Sequence, residues 1–533
     1  MYYLFKCYYC QHKHALKKGI ALSRQLFKST AVVSSMTLIS RILGFVRDML
    51  IARIFGVDMA TDAFFVAFKI PNFLRRLFAE GAFAHAFVPI LTDYKEQGSQ
   101  AAIKLFVDRT AGTLAWVLLL MTVMGVVVAP LLILLLAPGF SWQGTQHELA
   151  VLMLQITFPY LFFIGLVAFA GGILNAYGKF AVPALTPVFL NICMIAAAIW
   201  LAPLMDEPVV ALAWGVFAAG IVQLLFQVPA LMSLGLMPRG RLGFNDAGVK
   251  KMMGLLLPAI FSVSVTQINL LLDTLVASFL TIGSVSWLYY SDRLVEFPLG
   301  ILGLALGTVI LPGLAKSHAA EDSVAFSNSL DWGLRLVFVI GMPATIGLLL
   351  LAEPMLSTLF QYNEFSVTDV YFAGMSLRAY SIGLMGYIAI KVLVPGFTAR
   401  QDMKTPVRYG FYAMIASLVL NVVLVFPLAH AGLALATSLG AFFNAVLLLK
   451  KLWQKKIYQP VSGWGLFLTR VFCASIAMSV ALYYLVDASW WTQWDSGERI
   501  INLLKWIVIG LVIYLATLVM TGLRLHHLSS SQV

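Results

Sequence analysis

The chain has 533 residues, of which 61% are hydrophobic and 11% charged, and its mean hydropathy is +0.89. A soluble domain is closer to half apolar and a quarter charged, because it must cover its surface with polar groups. The composition excludes a soluble enzyme, a disordered chain, a disulfide scaffold and a collagen-like fibre, and it predicts a polytopic membrane protein. A net charge of +12 would suggest nucleic-acid binding in a soluble protein, so the positions of the cations decide its meaning.

Long apolar stretches predict an all-α fold with about fourteen membrane-spanning helices. A helix needs about 20 apolar residues to cross the hydrocarbon. No Asp, Glu, Lys or Arg occurs between Arg109 and Glu148 or between Arg408 and Lys450, and the second stretch can form two helices broken near Pro427 and Gly432. The spans are expected to begin near residues 31, 62, 111, 149, 181, 208, 252, 285, 333, 370, 408, 431, 464 and 500.

The loops between these spans alternate in charge. Every second connection is rich in Lys and Arg, as between Lys6 and Lys28 and around Arg239 and Lys450, whereas the others carry acids such as Glu148 and Asp206. The positive-inside rule places the cation-rich loops in the cytoplasm, and an even number of spans then places both termini there. Most of the net charge is thereby explained without nucleic acid.

The N-terminal segment does not read as a cleaved signal peptide. Its first apolar run contains Arg41, Arg47 and Asp48, and no small-residue cleavage pattern follows. Further upstream, Cys7 and Cys10 are spaced as in some zinc sites, but no second half-site follows at a known spacing. We expect residues 1–30 to form a basic cytoplasmic extension.

Three predicted spans carry charges that lipid would not tolerate. A charge at the bilayer centre costs about 2.5–3.5 kcal/mol even on the lenient insertion scale. The charges in spans 1, 2 and 8 are Arg41, Arg47, Asp48, Arg53, Asp62, Lys69, Arg75, Arg76, Glu80, Asp292, Arg293 and Glu296. These helices must therefore line a wet cavity or bury their charges as pairs.

Two interpretations of these charges remain open. Arg41 and Asp48 are seven residues apart and share a helix face, and Arg76 and Glu80 can pair at i,i+4, which suits structural ion pairs. The other interpretation is a cationic cavity, because the three spans contain seven cations and only five anions. Guanidinium groups match phosphate geometry, so such a cavity suits an anionic, phosphate-bearing substrate.

A diverged internal repeat supports a transporter. Asp48 and Asp273 are 225 residues apart, and the pairs at 64–65 and 289–290 are aromatic at the same spacing. Transporters commonly use such repeats and rock them about a site at their interface. The chain contains no Walker A loop, no H-E-x-x-H and no G-x-S-x-G, so an ATP-driven pump or a membrane hydrolase is disfavoured and we expect no enzyme.

Three segments resemble the MurJ family of lipid II flippases. They are SRILGFVRD with the stretch that runs on to Pro89, the segment Gly283–Pro312 with its YYSDRL motif, and VLVPGFTARQDMKTPV at 392–407. The resemblance covers residue 26 to the C-terminus and is closer to this family than to O-antigen flippases or MATE drug exporters.

The resemblance implies two six-helix lobes around a central cavity, plus two C-terminal helices. The domains would be an extension at 1–30, an N-lobe at 31–235, a C-lobe at 247–452, a lipid-tail groove at 461–523 and a cytoplasmic tail at 524–533. The family's functional residues match Arg41, Arg47, Asp48, Asp62, Arg75, Arg76, Glu80, Asp292 and Arg293.

Some members of the family bind sodium, and the resemblance places Asp273, Asn421 and Thr437 at that position. Val425 stands where a second acidic ligand is expected, so a structural role for Asp273 competes with a sodium site. We expect no other cofactor, with the membrane potential or a monovalent cation as the energy source.

The resemblance implies a flippase that carries lipid II across the bacterial cytoplasmic membrane. The expected partners are lipid II and membrane lipids, and cell-wall synthesis proteins are a further expectation, whereas nucleic acid is not. The alternatives are an exporter of another polyprenyl-pyrophosphate-linked saccharide, a MATE-like antiporter, for which the arginine surplus is unfavourable, and a cell-wall scaffold without transport.

Overall fold

The computed structural model describes residues 32–77, 83–141 and 144–523, and within these ranges it contains helices and no strand. The first helix, α1, covers residues 32–55. The others are α2 (Met59–Leu77), α3 (Phe83–Gln97), α4 (Gln100–Val127), α5 (Ala129–Leu136), α6 (Thr145–Thr157), α7 (Tyr160–Ala176), α8 (Ala181–Ala196), α9 (Val210–Ser233), α10 (Ala247–Ala277), α11 (Ser284–Ala319), α12 (Ser323–Leu350), α13 (Ala352–Leu359), α14 (Val367–Thr398), α15 (Lys404–Gln454), α16 (Trp464–Leu485) and α17 (Ser496–Met520).

These helices confirm the predicted all-α polytopic fold. Fourteen passes result when α2–α3, α4–α5, α6–α7 and α12–α13 each count as one and α15 as two. The break in α15 lies at Ala429, whose φ of 46° is left-handed, beside the predicted break at Pro427. By length and composition, nine helices of the described chain can cross a membrane. The charged helix α2 is not among them, because each of its 18-residue windows contains Asp62, Lys69, Arg75 and Arg76, which agrees with the charges expected in span 2.

The chain divides into two compact units. Unit 1 contains the described residues of Met1–Leu50, Ile70–Ala129 and Leu152–Val263, and unit 2 those of Ile51–Lys69, Pro130–Val151 and Ser264–Val533. The lobe boundaries at 31–235 and 247–452 and the lipid-tail groove at 461–523 stay predictions.

Unit 1 is held together by aromatic packing and by a strap between α9 and α10. Phe87 of α3 stacks on Phe106 of α4 with ring centroids 5.8 Å apart. In the strap, the Arg239 amide donates to the Asp108 carboxylate at 2.9 Å, and Asp246 pairs with Arg109 of α4 at 2.7 Å. These contacts tie the connection before α10 to the first turns of α4.

In unit 2, the C-terminal pair α16–α17 is packed firmly on α12. A continuous hydrophobic cluster joins the three helices, and the Tyr514 hydroxyl donates to the Val339 carbonyl at 2.9 Å. Asp331 of α12, buried, pairs with Arg335 at 2.7 Å and accepts a hydrogen bond from the Trp464 indole at 2.7 Å. These contacts hold the first residue of α16 and the middle of α17 against α12, so both helices pack on α12.

Candidate functional site

Arg47 and Asp48 form a buried ion pair inside unit 1. Arg47 is 5% exposed and Asp48 is 1% exposed, and the guanidinium donates twice to Asp48 Oδ1, at 2.7 and 3.0 Å. Its Nη1 also donates to Asn191 Oδ1 of α8 at 3.0 Å, while the Asn191 amide donates to the Ser40 carbonyl at 3.0 Å. The pair therefore joins α1 to α8 through charge-assisted hydrogen bonds, which are stronger than neutral ones.

Asn191 is a partner of the predicted site residue Arg47 that the sequence interpretation missed. It is buried in α8, whose other residues are mostly apolar. A lone amide in such a helix was an available signal, because polar groups inside a membrane almost always face a partner or a water-filled cavity.

The remaining described site residues of unit 1 are Arg41 in the middle of α1 and Arg75 and Arg76 at the end of α2. Arg41 of α1 is exposed, whereas Asp48, two turns further on, is buried, so their shared helix face does not give them the same environment. Arg75 and Arg76 occupy the last turn of α2, where cations interact favourably with the helix dipole. Both are half-buried, both have interaction partners, and the Arg75 Nε donates to Asn72 at 3.1 Å.

Asp62 of α2 acts in unit 2 as the N-terminal cap of α11. The carboxylate, 2% exposed, accepts hydrogen bonds from the Gly283 amide at 2.7 Å, the Ser286 amide at 2.8 Å and the Ser286 hydroxyl at 2.6 Å. Gly283 is the N-cap residue with φ +96°, and a Cβ there would lie 2.8 Å from Val57 and from Trp287. Glycine has no side-chain oxygen that could accept hydrogen bonds from the first amides of α11, so the Asp62 carboxylate of α2 accepts them instead. Its negative charge also interacts favourably with the dipole at the helix N-terminus.

Residues at equal positions of the repeat meet where α2 begins beside α11. Thr61 and Ser286 are 225 positions apart and their hydroxyls lie 3.4 Å apart. Phe65 and Tyr290 have the same spacing and pack edge to face at 5.6 Å. Equivalent residues contact one another close to a two-fold axis. The repeat spacing inferred from the sequence thus corresponds to real contacts within unit 2.

Asp292 and Arg293 lie on α11, about two turns beyond this cap. The Arg293 guanidinium pairs with Glu296 at 2.7 Å and lies 5.0 Å from the centroid of the Tyr289 ring. Tyr289 in turn stacks on Phe65 of α2 at 4.0 Å. Asp292 is half-buried and interacts electrostatically with Lys69 of α2. An arginine held on an aromatic face by one carboxylate is oriented before any substrate arrives.

The three residues of the predicted cation site do come together in unit 2. The Asn421 amide donates to Asp273 Oδ1 at 2.8 Å, and the Thr437 hydroxyl donates to Asp273 Oδ2 at 3.0 Å. Asp273 is 6% exposed. Lys69 donates to the hydroxyl of the next residue, Thr274, and interacts electrostatically with Asp273.

Some sequence predictions lie outside the described residues. Glu80 falls between α2 and α3, and Cys7 and Cys10 fall before α1. The roles assigned to the other site residues stay predictions, although the structure pairs Arg47 with Asp48 and Arg293 with Glu296 as described above. The described part of the chain contains no group of three or more His, Cys, Asp or Glu side chains that could hold a metal ion.

Two acids in the loops outside the spans are held in their charged form. Burial raises the pKa of Asp246, but hydrogen bonds from Arg109 and from the amides of Val249 and Gly248 outweigh this and leave it lowered. The Lys455 ammonium, with Thr405, lowers the pKa of Asp402 to about 2. These acids therefore fasten the connections before α10 and α15 as carboxylates.

Comparison with known proteins finds relatives over most of the chain. The family model described as "Lipid II flippase MurJ" matches residues 51–505. A Vibrio cholerae protein named "Probable lipid II flippase MurJ" is 46% identical over 520 residues, covering 96% of this chain and 99% of that protein. A Burkholderia cenocepacia "Lipid II flippase MurJ" is 41% identical over 507 residues, covering 94% and 98%.

Solved structures agree with this placement. A structure described as "Lipid II flippase MurJ, inward closed conformation" matches with a TM-score of 0.78 at 26% identity, covering 91% of this chain and 98% of that one. An inward-facing MATE family transporter matches with a TM-score of 0.67 at 15% identity, covering 80% and 98%, which shows a common fold. This chain is a multi-pass membrane protein that belongs to the MurJ family of lipid II flippases.

Proposed function

We propose that the protein carries lipid II from the inner to the outer leaflet of the bacterial cytoplasmic membrane by alternating access. The observation that carries the proposal is the match to the lipid II flippase family over residues 51–505. The buried charges of α1 and the charges of α2 and α11 support it, because charges at membrane depth mark substrate pathways.

The arginines are the groups that would bind the pyrophosphate of the substrate. Arg47, Arg75 and Arg293 each offer several N–H donors in a planar fork that fits phosphate oxygens. In the structure Arg47 is bonded to Asp48 and Arg293 to Glu296. A pyrophosphate would therefore compete with these carboxylates, and the exchange of partners would link substrate arrival to a change of helix packing.

Asp62 would act on the conformational cycle rather than on the substrate. Its carboxylate is occupied by three donors at the start of α11. Separation of α2 from α11 at this end would leave these buried groups unpaired. The cap would therefore favour the state in which the start of α11 stays next to the start of α2.

The orientation follows from the loop charges. Both termini would lie in the cytoplasm, and membrane lipids and lipid II would be the partners. No covalent step is required, so the protein would be a transporter rather than an enzyme. The membrane potential would be a sufficient bias, because moving one charge through 100 mV is worth about 2.3 kcal/mol.

The proposal is tested by reconstituting the purified protein in vesicles that contain lipid II, with and without an imposed potential. We expect lipid II to appear in the opposite leaflet only in vesicles that contain the protein. Vesicles with another polyprenyl-pyrophosphate saccharide provide the specificity control. Transport of that lipid but not of lipid II would overturn the proposed substrate, and transport of neither would overturn the proposed function.

A further inference from the structure

Lys69 of α2 lies among carboxylates in unit 2. Its ammonium donates a hydrogen bond to the Thr274 hydroxyl and interacts electrostatically with Asp273, Asp292 and Asp62. Thr274 is buried and follows Asp273 directly on α10. The ammonium is therefore held by the residue that follows Asp273 on α10.

The groups around Asp273 present hydrogens to it rather than oxygens. Asn421 turns its amide N–H₂ to one carboxylate oxygen, and Thr437 turns its hydroxyl hydrogen to the other. The Asn421 amide nitrogen faces the carboxylate, and its carbonyl oxygen is buried without a hydrogen-bond partner among the described residues. A hard cation needs several oxygen lone pairs turned toward it. Thr437 keeps oxygen lone pairs while it donates, but the Asn421 carbonyl oxygen would reach a cation on Asp273 only if its side chain rotated, so the arrangement is not that of a bound sodium ion.

A nearby positive charge nevertheless stabilises a buried carboxylate. Asn421 and Thr437 are neutral, and Arg293 is already paired with Glu296. Lys69, which is hydrogen-bonded to Thr274, is a cation that interacts electrostatically with Asp273.

We propose that the Lys69 ammonium is the resident counter-ion of Asp273 and takes the place of a free monovalent cation there. The site then keeps its charge balance without sodium. The tethered cation also stays within one unit, so it can be released from Asp273 only by movement of α2 relative to α10. The inference rests on the proposed function only where transport is the readout.

The first test measures ion binding and needs no lipid II. The melting temperature of the purified full chain is compared in sodium chloride and in choline chloride at equal ionic strength. We expect no sodium-specific shift for the wild type. Lys69→Met should melt lower in choline and gain a sodium-specific rise of a few degrees, because a ligand that binds only the folded state stabilises it.

The matched control is Lys391→Met, which removes an exposed lysine of α14 and should show neither effect. A sodium-specific rise in the wild type that is lost in Asp273→Asn would overturn the proposal. So would a Lys69→Met protein that behaves like Lys391→Met.

A double variant keeps the test decisive if Lys69→Met does not fold. Lys69→Met/Asp273→Asn removes both charges, so it should insert, melt higher than Lys69→Met and show no response to sodium. If Asp273→Asn alone inserts and the double variant does not, Lys69 has a role other than that of counter-ion.

The second test uses the vesicles described above with choline in place of sodium. Unchanged lipid II transport by the wild type is expected, and transport that requires sodium would contradict the proposal. Absence of transport in both salts would count against the proposed function alone, since the melting experiment is independent of it.

Discussion

Asp48 and Asp62 are both buried acids near the start of the described chain, yet they are satisfied in different ways. Asp48 is paired with a cation, Arg47, in unit 1. Asp62 accepts only neutral donors, the amides and hydroxyl at the N-terminus of α11, in unit 2. The charge of Asp48 is thus needed to balance another charge, whereas Asp62 is needed mainly as an oxygen acceptor placed at a helix end.

This difference has consequences for function. An ion pair can exchange one anion for another, so the Arg47–Asp48 pair is suited to respond to a pyrophosphate. A helix cap has no cation to offer, so Asp62 is suited to hold two helices together. Two acids that look alike in the sequence would therefore contribute to different steps of transport.

The largest effect is expected from breaking the ion pair. Asp48→Ala leaves the Arg47 charge buried without its partner and should lower the free energy of unfolding by about 3–5 kcal/mol. Thermal or denaturant unfolding of the purified protein measures the loss. Arg47→Met/Asp48→Leu removes both charges and should recover most of the stability. An equal loss in the single and double variants would show that the two residues do not act as a pair.

A smaller effect is expected from the cap. Asp62→Asn removes a charged acceptor and turns an amide N–H₂ toward backbone donors, so it should lower the free energy of unfolding by about 1.5–3 kcal/mol. Asp93→Asn, which changes an exposed acid, is the control measured in the same assay. Rescue of Asp62→Asn by neutralising a nearby cation would contradict the distinction between cap and ion pair.

The smallest effect is expected from a paired acid at the surface. Asp402, whose pKa is lowered to about 2 through Lys455, is partly exposed, and exposed pairs contribute at most about 1 kcal/mol. Because its pKa is lower in the folded state, this contribution is complete above about pH 4 and declines as the pH falls toward 2. Melting temperatures of the wild type and Asp402→Asn should converge over that range, and a constant difference would contradict the assignment.

Much of the fold could be predicted because the membrane imposes simple rules. The length of apolar runs, the break near Pro427 and the charges concentrated in α1, α2 and α11 all follow from the cost of polar groups in hydrocarbon. The spacing of 225 residues between repeats could also be read directly, since it depends only on residue types.

The partners of the charged residues could not be predicted. Helix periodicity places Arg41 and Asp48 on one face, but it does not say that one is exposed and the other buried. The link from Arg47 to Asn191 spans 144 residues, and the cap that Asp62 provides to α11 depends on a glycine 221 residues away. Such contacts depend on how helices pack, which no local pattern records.

The central claim is that the arginines of α1 and α11 serve transport and not stability alone. It is tested most directly by measuring lipid II on the outer face of cells depleted of their own flippase and supplied with this chain. Arg47→Ala and Arg293→Ala proteins, shown to be inserted at normal levels, should export no more lipid II than cells without a flippase, while Lys391→Met should export normally. Full export and growth with both arginine variants would contradict the account.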